Sequence, residues 1–244
     1  MNKIFISDLH LSDDHPHIIM MFKSFLERLI KKNKDNTELY IIGDLFESWV
    51  GDDHETQLYL EIKDTLIKLA SNNIKTYFLY GNRDFLIGDK FLKETNMTLI
   101  PDPHIFTYKN KKVLISHGDE FCTDDTEYQM FRKIVRNKDW QKDFLSFPIS
   151  KRLKIAGEAQ DASRNSKENK SINIMDVNQD AIKTIMSDYQ VDLIIHGHTH
   201  RPAKHSIERN NQHCERFVLG DWTDDSAIIL DWSNEDPILI DLIN

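Results

Sequence analysis

Apolar residues recur along this chain in two rhythms: short continuous runs, and longer stretches with a helical period. The runs at 3–6, 39–42, 76–80, 113–116 and 191–195 predict buried strands. Between the first two, Ile18, Met21, Phe22, Phe25, Leu26, Leu29 and Ile30 fall on one face of a helix. Leu58, Ile62, Leu66 and Leu69 predict a second helix, which Asn72-Asn73 stops, and 89–94 predicts a short third. Near the end, 217–219, 227–232 and 238–242 read as short strands with no helix between them. Mixed β/α units first and strands last predict two sheets stacked face to face with helices outside.

Each early strand runs into a polar motif, and these motifs are alike in kind. They are Ser7-Asp8-Leu9-His10, Gly43-Asp44, Gly81-Asn82-Arg83-Asp84, His117-Gly118-Asp119 and His196-Gly197-His198-Thr199-His200. In open α/β sheets the carboxyl ends of the strands are where ligands sit. Carboxylate, imidazole and amide oxygen form a donor set suited to Mn²⁺, Fe²⁺ or Zn²⁺ more than to Ca²⁺. On an extended backbone, both side chains of Asp8-x-His10, and both of His198-x-His200, point the same way. Each motif alone has an ordinary reading as turn or cap chemistry; all five at strand ends point to metal. Asp8, His10, Asp44, Asn82, His117, His198 and His200 exceed what one ion needs, so two ions sharing a carboxylate are expected. Glu47, Asp52 and Asp53 crowd more acid around Asp44, which would repel a bare phosphate unless a cation were present. Their roles stay open between support of the site and loop surface. His196 reads as a supporting or packing residue.

One interval breaks the rhythm. The other motifs lie about 35 residues apart, the size of one βαβ unit, whereas 81 residues separate His117 from His198. Within the gap, 132–170 holds 11 Lys/Arg against 5 Asp/Glu, in a chain whose net charge is −9. Phe131, Ile134, Val135, Trp140, Phe144, Leu145, Phe147, Ile149, Leu153 and Ile155 are interleaved, and Pro148 divides the stretch into two expected helices. We read 1–244 as a single domain with a helical lid inserted at about 126–172.

Length allows a substantial core, and the acidic total argues against general nucleic-acid affinity. With only Cys122 and Cys214, the fold does not rest on a disulfide framework. No run approaches the ~20 apolar residues of a membrane span, and the N-terminus reaches Ser7-Asp8 before signal-peptide length. A soluble, cytoplasmic protein is expected.

Taken together, Asp8-x-His10, Gly43-Asp44, Gly81-Asn82-Arg83-Asp84, His117-Gly118-Asp119 and Gly197-His198-Thr199-His200 resemble the motifs of the calcineurin-like metallophosphoesterases. The resemblance implies a four-layer α/β-β/α sandwich and two metal ions. Asp8, His10, Asp44 and His200 would hold one; Asp44, Asn82, His117 and His198 the other, with a hydroxide between them attacking phosphorus in line. Asp44, Asn82, Arg83 and His117 would be the catalytic set. In the broad family a His usually follows the Asn and protonates the leaving group; here Arg83 stands there. A phosphate monoester leaving from a pyrophosphate has a second pKa near 6 and needs no such proton, whereas a fixed guanidinium stabilises its charge. Arg83 therefore favours a pyrophosphate substrate; the plainer reading pairs it with Asp84.

Further stretches narrow the resemblance to the UDP-2,3-diacylglucosamine pyrophosphatases of lipid A synthesis. These are Gly43-Asp44-Leu45-Phe46-Glu47, Cys122-Thr123-Asp124-Asp125, Asn165-Ser166-Lys167-Glu168 and Ile174-Met175-Asp176-Val177-Asn178-Gln179. That family implies two Mn²⁺ ions and a lipid-linked nucleotide sugar gripped by Asn82, Arg83, Asp125, Ser166, Asn169, Lys170 and His198. The segment 163–170 is shorter here than the family pattern. A basic and apolar lid suits phosphates and acyl chains alike, and also the surface of an anionic bilayer. The resemblance thus implies peripheral attachment to the cytoplasmic face of the inner membrane, with neither nucleic acid nor an obligatory protein partner. Rival expectations are a pyrophosphatase of soluble dinucleoside polyphosphates, a metal-bound scaffold without hydrolysis, and a nuclease.

Overall fold

The computed structural model describes residues 2–32, 36–169, 176–209 and 212–243, with the side chains of 166–169 excepted. Among these residues the strands form a six-stranded sheet, in the order β11-β10-β1-β2-β3-β4, and a five-stranded sheet, β5-β6-β7-β9-β8. In the first sheet β1 (Asn2–Ile6), β2 (Thr37–Ile42), β3 (Lys75–Leu79) and β4 (Met97–Leu99) run parallel. The hairpin of β10 (Ile228–Trp232) and β11 (Ile238–Asp241) adds antiparallel to β1. In the second, β6 (Lys111–Ser116), β7 (Leu193–His196) and β9 (Gln212–Val218) run parallel. Their antiparallel edges are β5 (His104–Tyr108) and β8 (Ala203–Arg209).

Three apolar clusters define the layers. Ile18, Phe22, Phe25 and Leu26 of α1 (Pro16–Lys32), Ile62, Leu66 and Leu69 of α2 (Gln57–Ser71), and Phe91 of α3 (Asp89–Thr95) pack against Ile4, Ile6, Leu39 and Ile41 of the first sheet. The opposite faces of those strands carry Phe5, Tyr40, Ile42 and Leu79, which meet Val113, Ile115, Leu193, Ile195 and Phe217 of the second sheet. Leu114 and Ile194 face outward onto Ile182 and Met186 of α7 (Gln179–Tyr189). Strands apolar on both faces are what sheets covered on both sides require, and the result is the expected helix–sheet–sheet–helix sandwich.

Several elements differ from expectation. The insertion forms three helices, not two: α4 (Thr126–Val135), α5 (Lys138–Leu145) and α6 (Ile149–Asn169). The unforeseen break lies at Asn137, whose side chain accepts from the backbone N–H of Asp139 at 2.9 Å and of Trp140 at 3.1 Å and so starts α5. Pro148 does open α6, its carbonyl accepting from Lys151 and Arg152. β4, β5, β8 and α7 were not foreseen. The β5–β6 hairpin turns through Lys109 and Asn110, both at positive φ, as a two-residue primed turn requires.

Away from the converging loops, a charged cluster lies in the seam between the sheets. Lys3 on β1 donates to Glu38 and, at 2.7 Å, to the Tyr40 hydroxyl on β2. Its ammonium lies over the rings of Tyr40, Phe106 and Tyr108, 4.8–5.2 Å from their centroids. Both charged side chains are under one-tenth exposed. Lys3→Ala would leave the Glu38 carboxylate buried without its cation, and is expected to lower unfolding free energy by about 3–5 kcal/mol. The double replacement Lys3→Met with Glu38→Leu should cost much less; denaturant titrations in which the single variant loses no more than the double would overturn this account.

Candidate metal centre

The loops after β1, β2, β3, β6 and β7 converge at one end of the seam, so both sheets contribute. Their backbones are unusual. Asp8, His10, Asp44, His198 and His200 all have φ between 50 and 68°. For residues bearing a Cβ this left-handed conformation costs about 1–2 kcal/mol each, and such conformations persist where surrounding contacts over-determine them. The two Asp/His-x-His motifs therefore converge through left-handed turns, and the extended-backbone alternation expected from sequence does not apply. Glycines permit the loops to interlock: a Cβ on Gly81 would strike Asp44 Oδ1, and one on Gly197 would strike Asp8 Oδ2.

All seven expected ligands come together. His200 Nε2 lies 3.5 Å from Asp8 Oδ1, and His10 Nε2 lies 4.0 Å from it. The two imidazole nitrogens are 3.3 Å apart. Asp44 Oδ2 sits between His10 Nε2, at 3.8 Å, and His117 Nε2, at 3.7 Å. Asn82 Oδ1 lies 2.8 Å from His117 Nε2 and 2.9 Å from His198 Nδ1. Each carboxylate has one oxygen fixed by protein donors. Asp8 Oδ2 accepts from Ser7 and, at 2.9 Å, from the His198 N–H; Asp44 Oδ1 accepts from the Arg83 N–H at 2.8 Å. The other oxygens turn into the cluster, and Asp8 Oδ1 is buried there with no hydrogen-bond partner. Asp8, His10 and His200, and separately Asp8, Asp44 and His117, each bring donor atoms within 4.8 Å of one another. Hard and borderline donors around an orphaned buried carboxylate oxygen fit divalent cations.

Electrostatics agree. Burial alone would raise the Asp8 pKa, but the imidazole of His200 beside it and the charges of His117 and His10 hold it well below the usual carboxylate range. Burial would likewise lower His117; the charges of Asp44, Asp8 and Asp119 overcome it and push the imidazole up to about 9. His200 is driven to about 10 against its burial by the carboxylates of Asp221 and Asp8 beside it. His198, desolvated and beside His117, falls to about 3. This is an acid-rich cage that takes up protons when no metal is supplied.

The surroundings assign several residues that sequence reasoning left open or missed. Asp84 accepts from the N–H groups of Gly81 and Leu45, at 2.9 and 2.7 Å, and so joins two of the loops. It is therefore not the partner of Arg83, whose Nη1 lies 3.7 Å from Glu47 Oε1. Asp119 accepts from the Tyr128 hydroxyl and Arg132 Nε, both at 2.8 Å, while the Tyr128 ring lies against His198. Asp52 accepts from Trp49, Gly88 and Phe91 and organises the start of α3. Asp53 binds Arg152 of α6. His196 packs away from the cluster, between the Gly197 carbonyl at 2.9 Å and Arg216 Nη1 at 3.1 Å. Asp221, not foreseen, lies 3.3 Å from His200 Nδ1. Its signal was present: Gly220-Asp221 follows a strand just as Gly43-Asp44 does. Of the expected substrate contacts, Asp125 caps α4 by accepting from the Tyr128 N–H at 3.0 Å. The side chains of Ser166 and Asn169, and all of Lys170, lie outside the described residues.

Comparison with known proteins matches residues 1–202 to the calcineurin-like phosphoesterase model. A protein of Aromatoleum aromaticum named UDP-2,3-diacylglucosamine hydrolase is 42% identical, over 97% of this chain and 95% of its own. Proteins of the same name from Histophilus somni and Yersinia pseudotuberculosis are each 43% identical; the shared region covers 92% and 94% of this chain, and 94% of each relative. A solved archaeal phosphodiesterase, 15% identical, superposes over 99% of this chain and 100% of its own with a TM-score of 0.50, a likeness of fold.

The raised imidazoles set a sign for metal binding. Below about 9 and about 10, His117 and His200 carry protons that a cation must displace. Affinity for Mn²⁺ should therefore climb as pH rises from neutrality, with on the order of one to two protons released per chain near neutral pH. Calorimetry in buffers of differing ionisation heat reads the release. Affinity independent of pH, with no proton released, would contradict the protonation argued here.

Proposed function

The chain belongs to the calcineurin-like phosphoesterase family, and on that premise we propose that it hydrolyses the pyrophosphate bond of UDP-2,3-diacylglucosamine. The products are UMP and 2,3-diacylglucosamine 1-phosphate, a step of lipid A synthesis. The observation that carries this reading is the convergence of the seven donor residues with Arg83 at their rim, in a chain similar along nearly its whole length to hydrolases of that name.

Asp8, His10, Asp44 and His200 would hold one Mn²⁺ ion, and Asp44, Asn82, His117 and His198 a second. Bound there, the cations would polarise a phosphoryl oxygen and make water a stronger nucleophile. The chain's own groups do the rest. Asp44 Oδ2, standing between His10 and His117, would be shared by both positions. The Arg83 backbone N–H is fixed to Asp44, and its permanently charged guanidinium, 3.7 Å from Glu47 Oε1, would serve the pyrophosphate oxygens. Asn82 Oδ1 faces His117 and His198, and its amide belongs to the same grip. No proton donor to the leaving phosphate is required, because that group is stable as an anion.

The helices α4–α6 are the lid over this site, within a single domain. Met130, Phe131, Ile134, Leu145 and Leu153 are exposed on them, apolar surface that acyl chains would cover. The basic surface is smaller than composition suggests, since Arg132, Arg136 and Arg152 are committed to Asp119, the Gly81 carbonyl and Asp53. Lys133 and Lys142 offer charge to phosphates or anionic lipid headgroups, as do Lys138, Lys151 and Lys154, which also contact Gln141, the Phe147 ring and Glu158. Among the described residues no helix is long and apolar enough to cross a membrane. The exposed apolar face supports peripheral attachment at the cytoplasmic side of the inner membrane, and it gives a soluble dinucleoside polyphosphate nothing to bind.

Purified protein with Mn²⁺ should release UMP from the diacylated nucleotide sugar, and none after chelation; no release with Mn²⁺ present would refute the proposal. Asp44→Ala should lose both ions and all activity together, and two Mn²⁺ retained per chain in that variant would exclude a shared carboxylate. Phe131→Asp with Ile134→Asp should raise KM for the diacylated substrate ~10-fold or more. The deacylated analogue should be affected little; equal losses on both substrates would deny the lid its role.

A further inference from the structure

Metal centres are shaped by what holds their ligands as well as by the ligands themselves. Here the four imidazoles are not held alike. Glu47 Oε2 forms an ion-pair contact with His10 Nδ1 at 2.8 Å, without hydrogen-bond alignment, and Asp221 Oδ2 lies 3.3 Å from His200 Nδ1. In both rings this leaves Nε2 turned inward, toward Asp8 and toward each other. His117 instead has a neutral partner: its Nδ1 donates to the Ile42 carbonyl at 3.0 Å while Nε2 faces the cluster. His198 presents Nδ1 itself to Asn82 Oδ1, with the Tyr128 ring tilted against it.

The backbone makes the two outer carboxylates part of the site's frame. Glu47 donates its N–H to the Leu11 carbonyl at 3.2 Å, beside the bridge between Leu11 and Phe46. Trp222, next to Asp221, donates its N–H to the Asp8 carbonyl at 3.1 Å. Both carboxylates are thus tied to the 8–11 loop that carries Asp8 and His10. Glu47 also reaches toward Arg83, 3.7 Å away, and so stands between a ligand imidazole and the guanidinium. A carboxylate behind an imidazole fixes its tautomer and orientation and strengthens it as a ligand; a carbonyl fixes the tautomer without adding charge.

We infer that Glu47 and Asp221 are positioning residues that make the Asp8/His10/Asp44/His200 position the tighter of the two cation sites, leaving the Asn82/His117/His198 position to fill second. The inference rests on the two-metal reading proposed above. It deepens that reading by assigning an order of loading and two residues that touch neither metal nor substrate.

The test is calorimetric titration of Mn²⁺ into metal-free, full-length protein. Wild type should show a tight and a weaker class of site. Glu47→Gln and Asp221→Asn should each weaken the tight class by ~10–100-fold and leave the weaker class unchanged. Asn82→Ala should weaken only the weaker class. Glu55→Gln, which removes an exposed partner of Lys90, should change neither. Matching thermal unfolding of the metal-free variants and wild type separates positioning from misfolding, and two independent carboxylate variants keep the test decisive if one is unstable. Wild type binding fewer than two Mn²⁺ would overturn the two-metal reading itself. Two ions bound in wild type with both classes untouched by Glu47→Gln and Asp221→Asn, or with the tight class lost in Asn82→Ala, would overturn this inference alone.

Discussion

Asp8 and Asp44 are carboxylates almost wholly removed from water, and each turns one oxygen from its backbone donor toward a cluster of imidazoles. A buried charge is tolerated only with a partner, and much of the site follows from that constraint. Imidazoles from both sheets are brought within a few ångströms. Five residues accept left-handed backbone to turn their side chains inward, and glycines stand where a Cβ would strike Asp8 or Asp44. Asp84, in contact distance of the same loops, takes the opposite course: burial and the charge of Asp44 raise its pKa above the usual carboxylate range.

How much of this could be read from sequence depended on the range of the interaction. The parallel strands were legible because they are apolar on both faces, as β2 with every residue buried illustrates. The seven donors were legible because each sits in a short polar motif directly after such a strand. β4 and β5 were missed because one is three residues long and the other, half exposed, lacks an apolar run. β8 alternates weakly, with several exposed polar residues, and offered no stronger signal. α7 is amphipathic, but its buried face rests on Ile182 and Met186, too few anchors to stand out.

The supporting carboxylates and the inserted helices were harder to read for a different reason: their partners are distant in sequence. Arg136 reaches the Gly81 carbonyl across 55 residues, and Arg152 reaches Asp53 across 99. Composition therefore made α4–α6 look like a basic face presented to a ligand, when three of its arginines fasten the helices down. Arg152 is almost fully buried, held by Asp53, Val50 and Phe147. Arg136 ties α4 to the residue immediately before Asn82. The insertion is thus joined to the loops beneath it through main-chain atoms as well as side chains.

The arrangement of donors has a consequence for cohesion. Asp8 and His198 are separated by 190 residues, as are His10 and His200, and they rise from different sheets. A cation gripping them would act as a clasp across the seam, drawing the first strand and the late strands together where no covalent bond does so. Because the unfolded chain has no such pocket, the clasp adds to the native state in proportion to the logarithm of free cation over its dissociation constant, about 2.7 kcal/mol at a hundredfold excess. Metal supply would then govern how firmly the two halves of the sandwich adhere, and scarcity would loosen the seam before it disturbed the outer helices.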